Sequence, residues 1–172
     1  SYPTSSFRSF SVQLSHSDIF SLRRNLEGLP DYKESLESLC HIINTLAVKN
    51  PTFDTKLSGS TGILVLRHEN RLVCANVGDS RAVLYSNFSD KTIPINLSTD
   101  HLPTIAEEKK RILQAGGKIY PSRRTSCITR VGGRAIGPPR IWNKGGELPG
   151  LMMSRSFGDE AGHAVGIICT PG

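Results

Sequence analysis

Apolar residues recur at three- and four-residue spacing over one long stretch, at Leu36, Leu39, Cys40, Ile43, Leu46 and Ala47. That period gathers them on one face and predicts a helix over 31–49. Asp31 and Glu34 form a capping-box pair at its start, which gives the free N–H groups of the first turn acceptors. Asn50-Pro51 ends it, because the residue before a proline is pushed out of helical geometry. The period then shortens. Apolar, β-branched runs over 62–68, 72–77 and 81–85 are separated by Glu69-Asn70-Arg71 and Gly78-Asp79-Ser80, with a fourth run at 92–97. Runs this close pair antiparallel, since a parallel crossover needs a dozen residues or more. Thr104 and Glu107 repeat the capping box and predict a second helix ending at Gly116-Gly117, with Ile105, Ile112, Leu113 and Ala115 on its apolar side. Beyond it, 118–120, 127–131, 134–136, 151–153 and 165–169 read as short strands, and the Pro/Gly-rich 137–150 as a loop. Residues 1–29 are Ser-rich without a sustained period, apart from a short alternating run at 10–14. Strands grouped with strands, with few amphipathic helices, predict an α+β domain of antiparallel sheet covered by helices.

Composition narrows the partners. The 172 residues fit one domain with a real core, and no apolar run approaches the ~20 residues of a membrane span. Cys40, Cys74, Cys127 and Cys169 are scattered with no C-x-x-C, so Cys40 and Cys74, inside apolar patterns, read as reduced core residues. A cytoplasmic or nuclear setting and a monomer are expected. The net charge of +6 is uneven: 109–146 holds no acidic residue yet carries Lys109, Lys110, Arg111, Lys118, Arg123, Arg124, Arg130, Arg134, Arg140 and Lys144. Such a surface attracts phosphate-bearing partners, against the plainer reading of a solvated basic loop. Phosphorylated proteins fit better than nucleic acid, since Tyr120 and Trp142 are the stretch's only aromatic residues with which to stack bases.

Three chemistries compete. Gly78-Asp79-Ser80 with Asp100-His101 offers the residue types of a Ser/His/Asp hydrolase, but adjacent Asp and His cannot easily line up with one serine, and no G-x-S-x-G elbow is present. Ser58-Gly59-Ser60-Thr61-Gly62 could cradle phosphate, yet no G-K-[ST] follows; small residues that let a strand start against a neighbouring backbone are the better reading. Hard cations such as Mg²⁺ or Mn²⁺ need carboxylates fixed at strand ends, and Asp79 sits where one strand ends and the next begins. As a plain turn residue it needs no such role. Asp100, and Asp159 with Glu160, lie in loops separate from Asp79, so the chain supplies part of a cation site at most.

Five motifs occur in order: Ser58-Gly59-Ser60-Thr61; Ala75-Asn76-Val77-Gly78-Asp79-Ser80-Arg81-Ala82; Asp100-His101 with Pro103; Glu108 and Arg111-Ile112 with Ala115-Gly116-Gly117; and Met153-Ser154-Arg155-Ser156-Phe157-Gly158-Asp159. Together they resemble the central part of the metal-dependent Ser/Thr protein phosphatases, the type 2C or PPM family, over about residues 32–172. Gly137-Pro138-Pro139-Arg140-Ile141-Trp142 and Pro149-Gly150-Leu151 are similar to the longer loops of some plant and protist members. The resemblance implies two antiparallel β-sheets sandwiched between α-helices, incomplete at both ends, with a flap over about 118–150 where phosphoproteins approach. It implies two or more Mg²⁺ or Mn²⁺ ions activating the water that attacks phosphoserine or phosphothreonine. Asp79 matches an aspartate of an accessory metal site, while Arg155 and Asp159 match a motif read as structural or flap-anchoring. No D-G-H-G-G occurs in the chain. The expectation is therefore a middle portion that is inactive alone; the alternative is a non-catalytic pseudophosphatase or phosphoprotein-binding module.

Overall fold

The computed structural model describes residues 32–68, 70–88, 91–121, 130–131, 134–135 and 137–172. The readings made on 1–31, on 122–129 and on Ile136 lie outside them. Helix α1 (Tyr32–Lys49) follows the predicted period and buries Leu36, Cys40 and Ala47. It stops where predicted: the Asn50 side chain turns back to accept the Thr52 N–H at 2.9 Å, an Asx turn that the helix cannot continue through. Leu39 and Ile43 complete the face, packing on the same cluster as Ala75, Val77, Phe157 and Cys169.

That cluster is one side of a hairpin. Strands β2 (Gly62–His68) and β3 (Arg71–Val77) pair antiparallel with Leu64 opposite Ala75 and Leu66 opposite Val73. Alternation sends these four inward onto α1 and leaves Val65 and Leu72 exposed on the other face. Short β1 (Gly59–Ser60) pairs with β11 (Phe157–Gly158), so the small residues of 58–62 do start a strand against a neighbouring backbone.

Strands β4 (Val83–Phe88) and β5 (Lys91–Asn96) form a second hairpin. Its ladder begins later than the predicted 81–85 because Arg81 is tied to Asp100 and the Ala82 N–H donates to Ser98 Oγ. Helix α2 (Ala106–Gln114) lacks the predicted capping box: Ile105 occupies the cap position with no side-chain bond, because a turn closed by its own N–H on Leu102 O has taken up Thr104. The helix ends as predicted. Gly117 N–H reaches Ile112 O and Gly116 N–H reaches Leu113 O, with Gly116 at φ +83°, the left-handed cap only glycine adopts easily.

A three-stranded sheet follows, ordered β10-β9-β6, from β6 (Lys118–Pro121), β9 (Pro139–Trp142) and β10 (Pro149–Leu151). It corrects the reading of 137–150 as a loop. Ile141 of β9 is fully buried with Ile112, Val165 and Ile167 in a second core cluster, and proline is tolerated as the first residue of a strand. Strands β7 (Arg130–Val131) and β8 (Arg134–Ala135) pair with each other, and helix α3 (Glu160–His163) closes the order. The expected strand at 165–169 is reduced to one bridge, Arg155 with Ile168, because Gly166 at φ +89° breaks the extended run.

The α+β composition stands, but the described strands make small separate pairs and one three-stranded sheet instead of two sheets facing each other. Among the described residues β4 and β5 pair only with each other, and Val83, Leu84, Tyr85, Ile93 and Ile95 stay exposed. No described helix is long and apolar enough to cross a membrane.

Candidate functional site

Asp79 is exposed at the end of β3, and its neighbours on the turn are all held. Gly78 has φ +109°, and a Cβ there would lie 2.2 Å from Thr61 Cγ2, so the turn demands glycine. The Gly78 N–H donates to His101 Nδ1 at 3.2 Å, and its carbonyl accepts from Asn76 Nδ2 at 3.0 Å. Ser80 Oγ lies 2.7 Å from Thr61 Oγ1. Arg81 meets Asp100 in a two-pronged pair, Nε to Oδ1 at 2.9 Å and Nη2 to Oδ2 at 2.7 Å. The guanidinium, despite the small opposing cost of burial, lowers the Asp100 carboxyl below its usual range.

These bonds remove the Ser/His/Asp reading. Asp100 faces Arg81, His101 accepts from a backbone N–H, and Ser80 faces Thr61, so no serine–histidine–aspartate line forms.

Behind the turn lies a buried ionic knot. Glu108, 2% exposed, accepts from Arg111 through both its oxygens at 2.8 and 2.7 Å, from Arg155 Nη2 at 2.7 Å, and from Ser154 Oγ. Burial alone raises this carboxyl, but the donors on Arg111, Arg155 and Ser154 outweigh it and hold the group well below the carboxylate range. Arg155 also reaches Thr170 O at 2.8 Å, and Arg111 reaches Gly166 O and Ser154 O, both at 2.9 Å. Arg155 therefore ties segments together.

Asp159 is different. It is buried, 4% exposed, and sits at φ +47°, the only described non-glycine residue in the left-handed region. Its carboxylate occupies the space a Cβ on Gly59 would need, with Oδ2 2.1 Å from that position. Burial pushes its carboxyl up. A strained backbone carrying a poorly solvated carboxylate is an arrangement in which a cation relieves the cost of burial. The sequence flagged the residue as a motif member and as one of the acids away from Asp79; its burial depends on Gly59, a hundred residues earlier in the chain. The 58–61 segment meets both neighbourhoods: Asp159 N–H donates to Ser58 O, while Thr61 abuts Gly78.

The basic stretch is partly tied down. Arg111 is in the knot, Lys118 Nζ donates to Lys144 O at 2.7 Å, and Arg140 donates to Gly150 O. Among the described residues no three of His, Cys, Asp and Glu come together as a metal site. Asp79, exposed on a fixed turn, offers one oxygen ligand position for a hard cation, whereas Asp159 is buried beside Gly59.

The comparisons with known proteins agree with one another. The family model for Protein phosphatase 2C matches residues 10–171. "Probable protein phosphatase 2C 73" of Oryza sativa subsp. japonica is 37% identical over 119 residues, 69% of this chain and 26% of its own length. "Probable protein phosphatase 2C 34" of Arabidopsis thaliana is 29% identical over 173 residues, 99% of this chain and 45% of its own. The chain spans less than half the length of the curated relatives it matches. The crystal structure of serine-threonine phosphatase 2C from Toxoplasma gondii superposes with a TM-score of 0.66 at 17% identity, over 94% of this chain and 49% of that one. A C. elegans sex determining protein gives 0.62 at 19% identity, over 89% of this chain and 32% of that one. Fold and sequence meet on one assignment: the chain belongs to the protein phosphatase 2C family.

Proposed function

We propose that this chain is the central part of a Mg²⁺- or Mn²⁺-dependent phosphatase acting on phosphoserine and phosphothreonine in proteins. The observation that carries the proposal is the Gly78–Arg81 turn, immobilised around an exposed Asp79 within a chain of this family. Asp79 and Asp159 are the residues that would each give oxygen to a cation. Divalent ions at such a site would activate a water and neutralise phosphoryl oxygens. The chain's own residues supply the frame: His101 and Asn76 hold Gly78, Asp100 holds Arg81, and the Glu108 knot fixes the segment leading to Asp159. Exposed Lys109, Lys110, Lys118 and Lys144 lie in the acid-free stretch and favour anionic, phosphorylated proteins as partners.

By itself the chain is expected to release negligible phosphate from a phosphoserine peptide in Mn²⁺, because its described residues bring no complete ligand set together. Mn²⁺-dependent turnover abolished by Asp79→Ala would overturn the expected inactivity and establish catalysis. The second reading, a binding module without turnover, is favoured by the same incomplete ligand set. Metal-independent binding of a phosphoserine peptide by this chain, lost when the phosphate is removed, would support it.

A further inference from the structure

The dipeptide Asp100-His101 bonds to both ends of the Asp79 turn. At one end the Asp100 carboxylate takes Arg81 in two parallel bonds. At the other, His101 holds Gly78 on both sides: its imidazole Nδ1 accepts the Gly78 N–H at 3.2 Å, and its backbone N–H donates to Gly78 O at 2.9 Å. A glycine at φ +109° with no side chain of its own is the softest point of such a turn, so the grip falls where the backbone is freest. The His101 carbonyl then accepts the Ser154 N–H at 2.9 Å, joining the turn to the segment that carries Asp159. His101 is itself 6% exposed.

We infer that His101 is a positioning residue for Asp79, its imidazole fixing the direction in which the turn presents that carboxylate to a cation. The inference rests on the reading of Asp79 as a cation ligand, and it adds the residue that aims it. An imidazole that accepts at Nδ1 carries its proton on Nε2, so one tautomer is required. Residues that orient a ligand from behind typically change metal affinity by about tenfold or more when removed.

The test is NMR on the ¹⁵N-labelled chain at about pH 7. Long-range ¹H–¹⁵N spectra of the wild type should show His101 with Nδ1 bare and Nε2 protonated; a proton on Nδ1 overturns the inference. In H101L, which has no acceptor, Gly78 amide exchange should accelerate and the Mn²⁺ concentration that broadens residues 77–81 should rise by about tenfold. H101N, whose side-chain oxygen can stand in for Nδ1, should restore most of both. A folded H101L with unchanged Gly78 exchange and unchanged Mn²⁺ response overturns the inference. Should H101L not fold, the wild-type tautomer and the exchange rate in H101N decide it. If Mn²⁺ fails to broaden 77–81 in the wild type, or Asp79→Ala leaves the broadening intact, the cation reading of Asp79 falls. Gly78 exchange in H101L against H101N still supports or overturns the grip itself.

Discussion

At Glu108 one carboxylate answers two guanidinium groups and a hydroxyl, and each guanidinium also donates to carbonyls on the 154–170 segment. Removing it leaves both arginines short of a counter-charge in a half-buried setting. Glu108→Ala should therefore cost about 3 kcal/mol in urea unfolding, while Lys109→Ala, on the exposed side of the same helix, should cost less than about 0.5 kcal/mol. Asp159 predicts the opposite sign. Its carboxylate is buried against its preference, so Asp159→Asn should raise the melting temperature while weakening Mn²⁺ binding measured by calorimetry. Acid should destabilise the fold through two groups. Burial, with Arg155 and Arg111 adding repulsion, lowers the His101 proton affinity below its ordinary 6.5, so the unfolded chain binds that proton first and stability falls as pH drops below about 6.5. Glu108 adds a further loss below its ordinary 4.5, where the unfolded carboxyl protonates and the folded one does not. Asp159 works the other way, since its burial cost shrinks as it protonates. Melting temperatures recorded from about pH 7 down to pH 4 should fall throughout, and a rise toward pH 5 would contradict the His101 assignment. Asp79 was legible in the sequence because a Gly-Asp pair interrupts two apolar runs. Asp159 was not, because a backbone angle and a distant glycine set its environment.

The two hairpins differ in what backs them. β2–β3 lies on α1 with Leu64, Leu66, Val73 and Ala75 against Leu36 and Cys40, whereas β4–β5 exposes apolar side chains on both faces. An isolated two-stranded ribbon is marginal in water. Amides of Leu84 and Ile95 should consequently exchange with solvent at least about tenfold faster than those of Leu64 and Ala75, as hydrogen–deuterium exchange would read. Elements with a sustained period, α1 and β2–β3, were legible from spacing alone. Short elements were not. β9 has four residues flanked by Pro and Gly and hides its period, although Ile141 pairs with both Ile119 and Leu151. Val165, Ile167 and Cys169 showed their burial in the sequence but not their lack of a ladder, since Gly166 takes a left-handed turn among them. The α2 capping box failed because the Pro103 turn consumed Thr104 before the helix began.

Among the described residues the apolar surface is uneven, with Val83, Leu84, Tyr85, Ile93 and Ile95 forming one exposed set on β4 and β5. Exposed ribbons of this kind tend to associate edge to edge, which puts the expectation of a monomer to a direct test. Light scattering on the chain should show mass rising with concentration, and Tyr85→Lys with Ile93→Lys should suppress the rise; an unchanged rise would place the contact elsewhere. The family was legible because its motifs fall in order, while the arrangement of sheets was not, since pairing between distant strands leaves no local period. One stretch holds the described parts together. Ser154 bonds to His101 and Glu108, Arg155 to Glu108 and Thr170, Ser156 to Ile168, Gly158 to Asn44 of α1, and Asp159 to Ser58. A polypeptide severed at the exposed Lys144-Gly145 bond keeps all five residues on one piece, so its two halves retain a template for finding each other again. Severed between Arg155 and Ser156, each half would carry only part of that template.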